Sequence, residues 1–223
     1  HHLEALAIAA AIEDPQLPPP GHLPASELPR TVWTDGSCVI PQDPLLARAG
    51  WGLHVAASGA SPSADWAGPV GGQQTAQRGE VTAALAAAPL VAGPVDLVTD
   101  SKFVSNGCAN IRFGADPAEW AHGDLWPTLA PHVREGRVVA RWTPAHKSAE
   151  QYSAAGRAER DRLGNEAADR LASLASARRL PPARVVWARR ICAADLRRAQ
   201  GMLAAVQQAV LAADSAARPG APP

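Results

Sequence analysis

Sulfur and aromatic rings are scarce in this chain: its 223 residues include three Cys, one Met, two Phe and one Tyr. Cys38, Cys108 and Cys192 lie far apart, in no spacing that holds zinc and too few for a disulfide scaffold, which suits a reducing compartment. Net charge is missing as well. Twenty-one basic side chains balance twenty-one acidic ones, so the charge of the whole chain does not advertise nucleic acid as a partner. No run of about 18 apolar residues occurs, which argues against a transmembrane helix. There is no internal repeat. The first residue is His rather than Met, so a fragment or processed piece of a longer protein is expected, and the lack of a targeting signal carries little weight.

The hydrophobic content is 47%, much of it alanine, so a core has to be built from Leu, Val, Ala and seven Trp. The segment "LEALAIAAAIE" (3–13) reads as a short helix, and six prolines between 15 and 29 read as an extended linker. A compact domain is expected over 30–178. Its order is three strands ("TVWTD", 31–35; "AGWGLHVAA", 49–57; "SADWAGPV", 63–70), then a helix over 75–90. A strand over 95–100, helices from 101 and over 123–136, a strand over 137–146 and a helix over 164–179 complete it. That alternation fits a mixed α/β sheet with packed helices. Residues 179–223 form a helical extension with a disordered end. Seven Arg and one Asp between 178 and 200 give this region a local net charge of +6, leaving −6 for the rest.

"VWTDGSC" (32–38) poses the first chemical question, because the strand is expected to stop on Asp35. Asp-Gly is a common hairpin corner, and a carboxylate at a strand end is also a good metal ligand or acid–base group. A second strand, "VDLVTD", stops on Asp100. Glu80 lies on the helix between them beside apolar Val81, Ala84, Leu85 and Ala88, a position that turns it toward the sheet. Asp169 lies four residues after Asn165 on the last domain helix, near Leu171 and Leu174, which need burial. Carboxylates gathered at one sheet edge repel one another unless a cation neutralises them. Oxygen ligands without Cys select a hard cation such as Mg²⁺ or Mn²⁺.

In order along the chain, "TDGS", "RGEVTAAL", "VTDSKFV", "DLW", "WTPAH" and "GNEAADRLA" resemble the signature blocks of ribonuclease H type 1. The last two are most similar to the versions in reverse-transcribing retroelements. The resemblance covers roughly Arg30 to Ala177. It implies an α/β fold, a five-stranded mixed sheet with three antiparallel strands followed by parallel ones and helices on both faces. It also implies cleavage of the RNA strand of RNA–DNA hybrids with two Mg²⁺ ions, Mn²⁺ being an alternative. Asp35 would bridge both metals, Glu80 and Asp100 would complete one shell and Asp169 the other. His146 would assist proton transfer or product release, as suits a histidine near neutral pH. Gly36, Ser37, Cys38, Thr75, Gln77, Arg78, Ser101, Lys102 and Asn165 would touch the hybrid. Partners would be the hybrid and other domains of a polyprotein, with no membrane. A monomer in an intracellular compartment, cytoplasmic or nuclear, is expected.

The sequence departs from the family pattern in places. The stretch between His146 and Asp169 is longer than usual, which makes Asp161 a rival for the fourth carboxylate. Ala76 stands where a polar residue is common, and only Arg112 is basic between Cys108 and Asp124, so the basic protrusion of many cellular members is missing. The arginines after residue 178 would then supply the grip on phosphates, or else dock on the acidic body. A catalytically silent copy serving as a nucleic-acid-binding or structural module is the alternative reading.

Overall fold

The computed structural model describes residues 29–57, 63–90 and 93–217. The expected helix over 3–13, the proline-rich linker and the end of the chain from 218 lie outside the described residues. The elements are β1 (Arg30–Val39), β2 (Arg48–Val55), β3 (Ala64–Pro69), α1 (Ala76–Leu90), β4 (Val95–Thr99) and α2 (Lys102–Arg112). They continue with α3 (Trp126–Arg134), β5 (Val138–Trp142), α4 (Ala149–Ala154), α5 (Glu159–Ala177) and α6 (Ala183–Ala217).

Five strands form one sheet in the order β3-β2-β1-β4-β5. β2 pairs antiparallel with β1 and β3, whereas β4 pairs parallel with β1 and β5. This is the mixed sheet that the sequence leads one to expect. The period of two along β1 and β2 sends alternate side chains to opposite faces. Val32, Trp51, Leu53 and Val55 join the main core with α1, α2 and α3. Trp33 and Val98 pack with Ala168 of α5 on the other face.

Asp35 does not end its strand, and Asp-Gly is not a corner. β1 runs on to Val39, with Asp35 opposite Gly52 and Gly36 opposite Trp51. What stops near Asp35 is the parallel ladder, whose last pair is Thr34 with Thr99. A carboxylate there sits where β4 leaves the sheet and a crevice opens, the usual ligand position of an α/β sheet.

Glycines decide how closely the helices approach. A Cβ on Gly36 would lie 2.2 Å from the Glu80 nitrogen, so only glycine lets α1 cross β1 there. On the opposite face, a Cβ on Gly52 would lie 2.5 Å from the Ala172 nitrogen, and one on Gly50 2.5 Å from the Ser176 nitrogen. α5 therefore meets the sheet through Gly164, Ala168, Ala172, Ala175 and Ser176. Leu174 is 49% exposed, contrary to expectation, because at 100° per residue it lies on the side of α5 turned away from Ala168 and Ala172. α5 also starts five residues before the expected Gly164, and α3 is shorter at both ends than 123–136. Residues 181–223 form a separate unit whose described part is the single helix α6. Among the described residues, no helix is long and apolar enough to cross a membrane.

Candidate active site

Three elements bring Asp35, Glu80 and Asp100 together: β1, α1 and the turn that follows β4. One oxygen from each lies within 4.8 Å of the others. Asp35 and Glu80 are buried, and Asp100 is half-buried. The Gly36 amide donates to Asp35 Oδ1 at 2.7 Å. Asn165, one turn before Asp169 on α5, donates through Nδ2 to Asp100 Oδ2 at 3.2 Å. Asp169 is half-buried, accepts from the Ser173 hydroxyl at 3.4 Å, and lies near enough to repel the charges of Asp35 and Asp100.

The crowding is visible in the acidities. Burial first, and then the Asp100 charge, raise Asp35 from 3.8 to about 7. Burial and the charges of Asp35 and Asp100 hold Glu80 well above the ordinary carboxylate range. Burial also raises Asp100, against the opposing pull of the Asn165 hydrogen bond and of His146. Glu80 Oε2 is buried with no hydrogen-bond partner. An all-oxygen donor set with mutually repelling charges and an orphaned carboxylate oxygen is what a hard divalent cation satisfies, so these residues fit such an ion.

The other sequence-predicted residues fall into three groups. His146 is exposed on the loop after β5 at φ 50°, and it lines a cleft with Pro144, Asn165 and Asp169. Gln77 and Lys102 are exposed, while Gly36, Ser37, Thr75 and Ser101 are half-buried. Thr75 Oγ1 accepts from the Arg78 amide at 3.1 Å, and Ser101 caps α2 by accepting from the Val104 amide at 3.4 Å. Cys38 Sγ donates to the Gln74 carbonyl at 3.4 Å.

Two expectations need correction. Arg78 is buried, and its guanidinium is committed to the Gly71 carbonyl at 2.6 Å and to both Asp124 oxygens. It is an internal clamp rather than a free phosphate ligand. Asp161 is no rival for the fourth carboxylate, because it accepts from Arg141 at 2.8 Å and from the Trp33 indole at 3.3 Å. The Arg141 guanidinium holds its carboxyl below the usual range. Sequence reasoning missed Trp142, whose Nε1 donates to the Asp100 carbonyl at 2.9 Å. Its place at the head of "WTPAH" was the available signal.

Among solved structures the chain is similar to the PFV RNase H domain in solution, at 22% identity and TM-score 0.52, covering 68% of this chain and 96% of that one. It is also similar to the native prototype foamy virus protease-reverse transcriptase, at 24% identity and TM-score 0.50, over 74% of this chain and 22% of that one. A foamy viral protease-reverse transcriptase in complex with RNA/DNA hybrid matches at 22% identity and TM-score 0.50, with the same coverage. At these identities the likeness is one of fold. A search of curated proteins found no match. The RNase H family model matches residues 28–177, from just before β1 to the end of α5. Sheet, carboxylates and motif blocks coincide over that stretch, and this chain belongs to the RNase H family as a ribonuclease H.

Proposed function

We propose that this chain hydrolyses the RNA strand of RNA–DNA hybrids with two divalent cations, leaving 5′-phosphate and 3′-hydroxyl ends. The observation that carries the reading is the convergence of Asp35, Glu80 and Asp100 with their raised acidities, because buried like charges at that spacing call for a cation. Enzymes of this family are metal-dependent. Mg²⁺, or Mn²⁺ in its place, would activate the attacking water and stabilise the leaving oxygen. Asp35 would be shared by both sites, Glu80 and Asp100 belonging to one and Asp169 to the other. Asn165 holds Asp100 in position through its amide, and the Trp142 indole anchors the same residue's carbonyl. His146, exposed beside Asp169 and Asn165, is positioned to move a proton at the departing strand. Gly36, Ser37 and Cys38 would approach the sugars, since 2′-hydroxyl contacts separate RNA from DNA, and Thr75, Gln77, Ser101 and Lys102 would touch the hybrid beside them.

In this reading residues 30–178 are the catalytic domain, 1–29 and 179–223 are extensions, and the whole acts as a monomer derived from a retroelement polyprotein. Three thiols outside any disulfide suit an intracellular setting. The test compares labelled hybrid, RNA duplex and DNA duplex side by side, with Mg²⁺ and with chelator. Cleavage confined to the RNA of the hybrid and abolished by chelation is expected. DNA duplex cut as fast as hybrid, or cutting that survives the chelator, overturns the proposal.

A further inference from the structure

Three arginines of the domain are neutralised by carboxylates. Arg78 is paired with Asp124, Arg141 with Asp96 and Asp161, and Arg162 with Glu159 and Glu166. Lys102 and Arg157 have no carboxylate partner among the described residues, and what sets them apart is that both lie against one indole. Lys102 Nζ is 5.1 Å from the Trp142 ring centroid, and Arg157 Cζ is 5.3 Å from it. A cation resting on an aromatic face keeps its charge and most of its N–H donors available to an anion.

Arg157 is delivered to this place by the segment that makes the chain longer than its family's pattern. Ser148 and Gln151 form a reciprocal cap on α4. Tyr152 is buried, with its hydroxyl donating to the Pro144 carbonyl at 2.6 Å. Gly156 then turns the chain at φ 65°, and the Arg157 amide donates back to the Tyr152 carbonyl at 3.0 Å. The Arg157 side chain makes one further bond, from Nη1 to the Trp142 carbonyl at 3.3 Å. Lys102 arrives from the other side, in the first turn of α2 and two residues after Asp100. The same indole that carries both cations donates to the Asp100 carbonyl, so the charged pair is tied directly to the metal-ligating residue.

We propose that Lys102 and Arg157, mounted on Trp142, form a phosphate-binding platform that grips the backbone of the hybrid beside the acidic centre. The inference rests on the hybrid reading above and extends it to a site that the inserted segment builds. With both cations on the ring, the indole offers little face to a base, so the platform reads phosphate and not sequence. It also supplies positive charge next to carboxylates that would otherwise repel a polyanion.

The experiment measures binding of a fluorescein-labelled RNA–DNA hybrid by anisotropy from about 50 to 200 mM salt, in an Asp35→Asn background so that the ligand is not consumed. Each phosphate contact contributes roughly 0.9 to the slope of log affinity against log salt. Arg157→Ala and Lys102→Ala are each expected to flatten that slope by about 0.9, and the double variant by about twice that, with Arg157→Lys keeping the parent slope. An Arg157→Ala protein that binds with the parent slope overturns the platform. If that variant fails to fold, Lys102→Ala decides alone by the same criterion, since Lys102 is exposed. A wild-type chain that neither binds nor cuts the hybrid overturns the parent reading. One that cuts it while both alanine variants retain the full slope overturns only the platform.

Discussion

Asp35 carries its charge where burial and Asp100 both oppose it, and this has a measurable cost in the absence of metal. Its acidity moves from 3.8 in the unfolded chain to about 7 in the folded one. Between those values the folded state binds more protons than the unfolded state, so stability falls as pH rises. Below about pH 4 the group is protonated in both states and the penalty vanishes; above about pH 7 it is complete. Glu80 and Asp100 shift in the same direction and add to it. The melting temperature of metal-free protein should therefore drop between pH 5 and pH 8, and Mg²⁺ should restore it at pH 8. Asp35→Asn should abolish cleavage and yet raise the metal-free melting temperature at pH 8 by about 4–8 °C, from roughly 2 kcal/mol no longer spent on burying the charge and on its repulsion by Asp100. Calorimetry with and without Mg²⁺ reads both effects. A variant that melts lower than the parent without metal would contradict the repulsion, and one with near-parental turnover would remove Asp35 from the chemistry.

At the scale of elements, the site depends on how deeply α5 can seat itself on β1 and β2. Gly52→Ala would put a methyl 2.5 Å from the Ala172 nitrogen and 2.6 Å from the Ala168 oxygen, both backbone atoms with no rotamer to yield. A loss of about 2–3 kcal/mol is expected, seen as a lower urea midpoint with unchanged m. A midpoint equal to the parent's would mean that α5 is not held by this contact. Activity should fall further than stability explains, because α5 carries Asn165 and Asp169. The same contact explains what the sequence could and could not reveal. Strand and helix order was legible from periodicity and from Gly, Pro and Asp punctuation, except for α4, which lies in a stretch read as loop. The end of β1 was not, because Asp-Gly looks locally the same in a corner and in a strand that must let a helix pass. Leu174 looked like a core residue because leucine usually is, whereas the face that α5 buries is the small-residue one that meets the glycines of β2, far away in the chain. The carboxylates stood out within motif blocks. Arg78 with Asp124, Asn165 with Asp100 and Trp142 with Asp100 did not, since the partners are 46, 65 and 42 residues apart.

For the whole molecule, the open question is what the +6 stretch after the catalytic domain contributes. Among the described residues, the core clusters draw none from beyond α5. Truncation after Leu180 should leave it folded, with a melting temperature close to that of the full chain. α6 spans 35 residues, roughly 52 Å at 1.5 Å per residue. At 100° per residue, Arg190, Arg197 and Arg198 fall within one arc of its surface together with Trp187, which is 67% exposed. Arg198 is paired with Asp195 at 3.3 Å, an exposed i,i+3 contact of the kind worth only a few tenths of a kcal/mol, which a phosphate can displace. A basic arc of this kind suits a polyanion, and its effect should be electrostatic and independent of sequence. The truncated chain should bind hybrid more weakly, with a salt slope shallower by about two to three units, while still cutting it when substrate is saturating. Hybrid titrations at several salt concentrations, run beside a thermal melt, separate the possibilities. Equal affinity and slope in the truncated protein would show that the arginines do not touch the hybrid. A truncated protein that melts far below the full chain would show instead that the extension serves to hold the domain together.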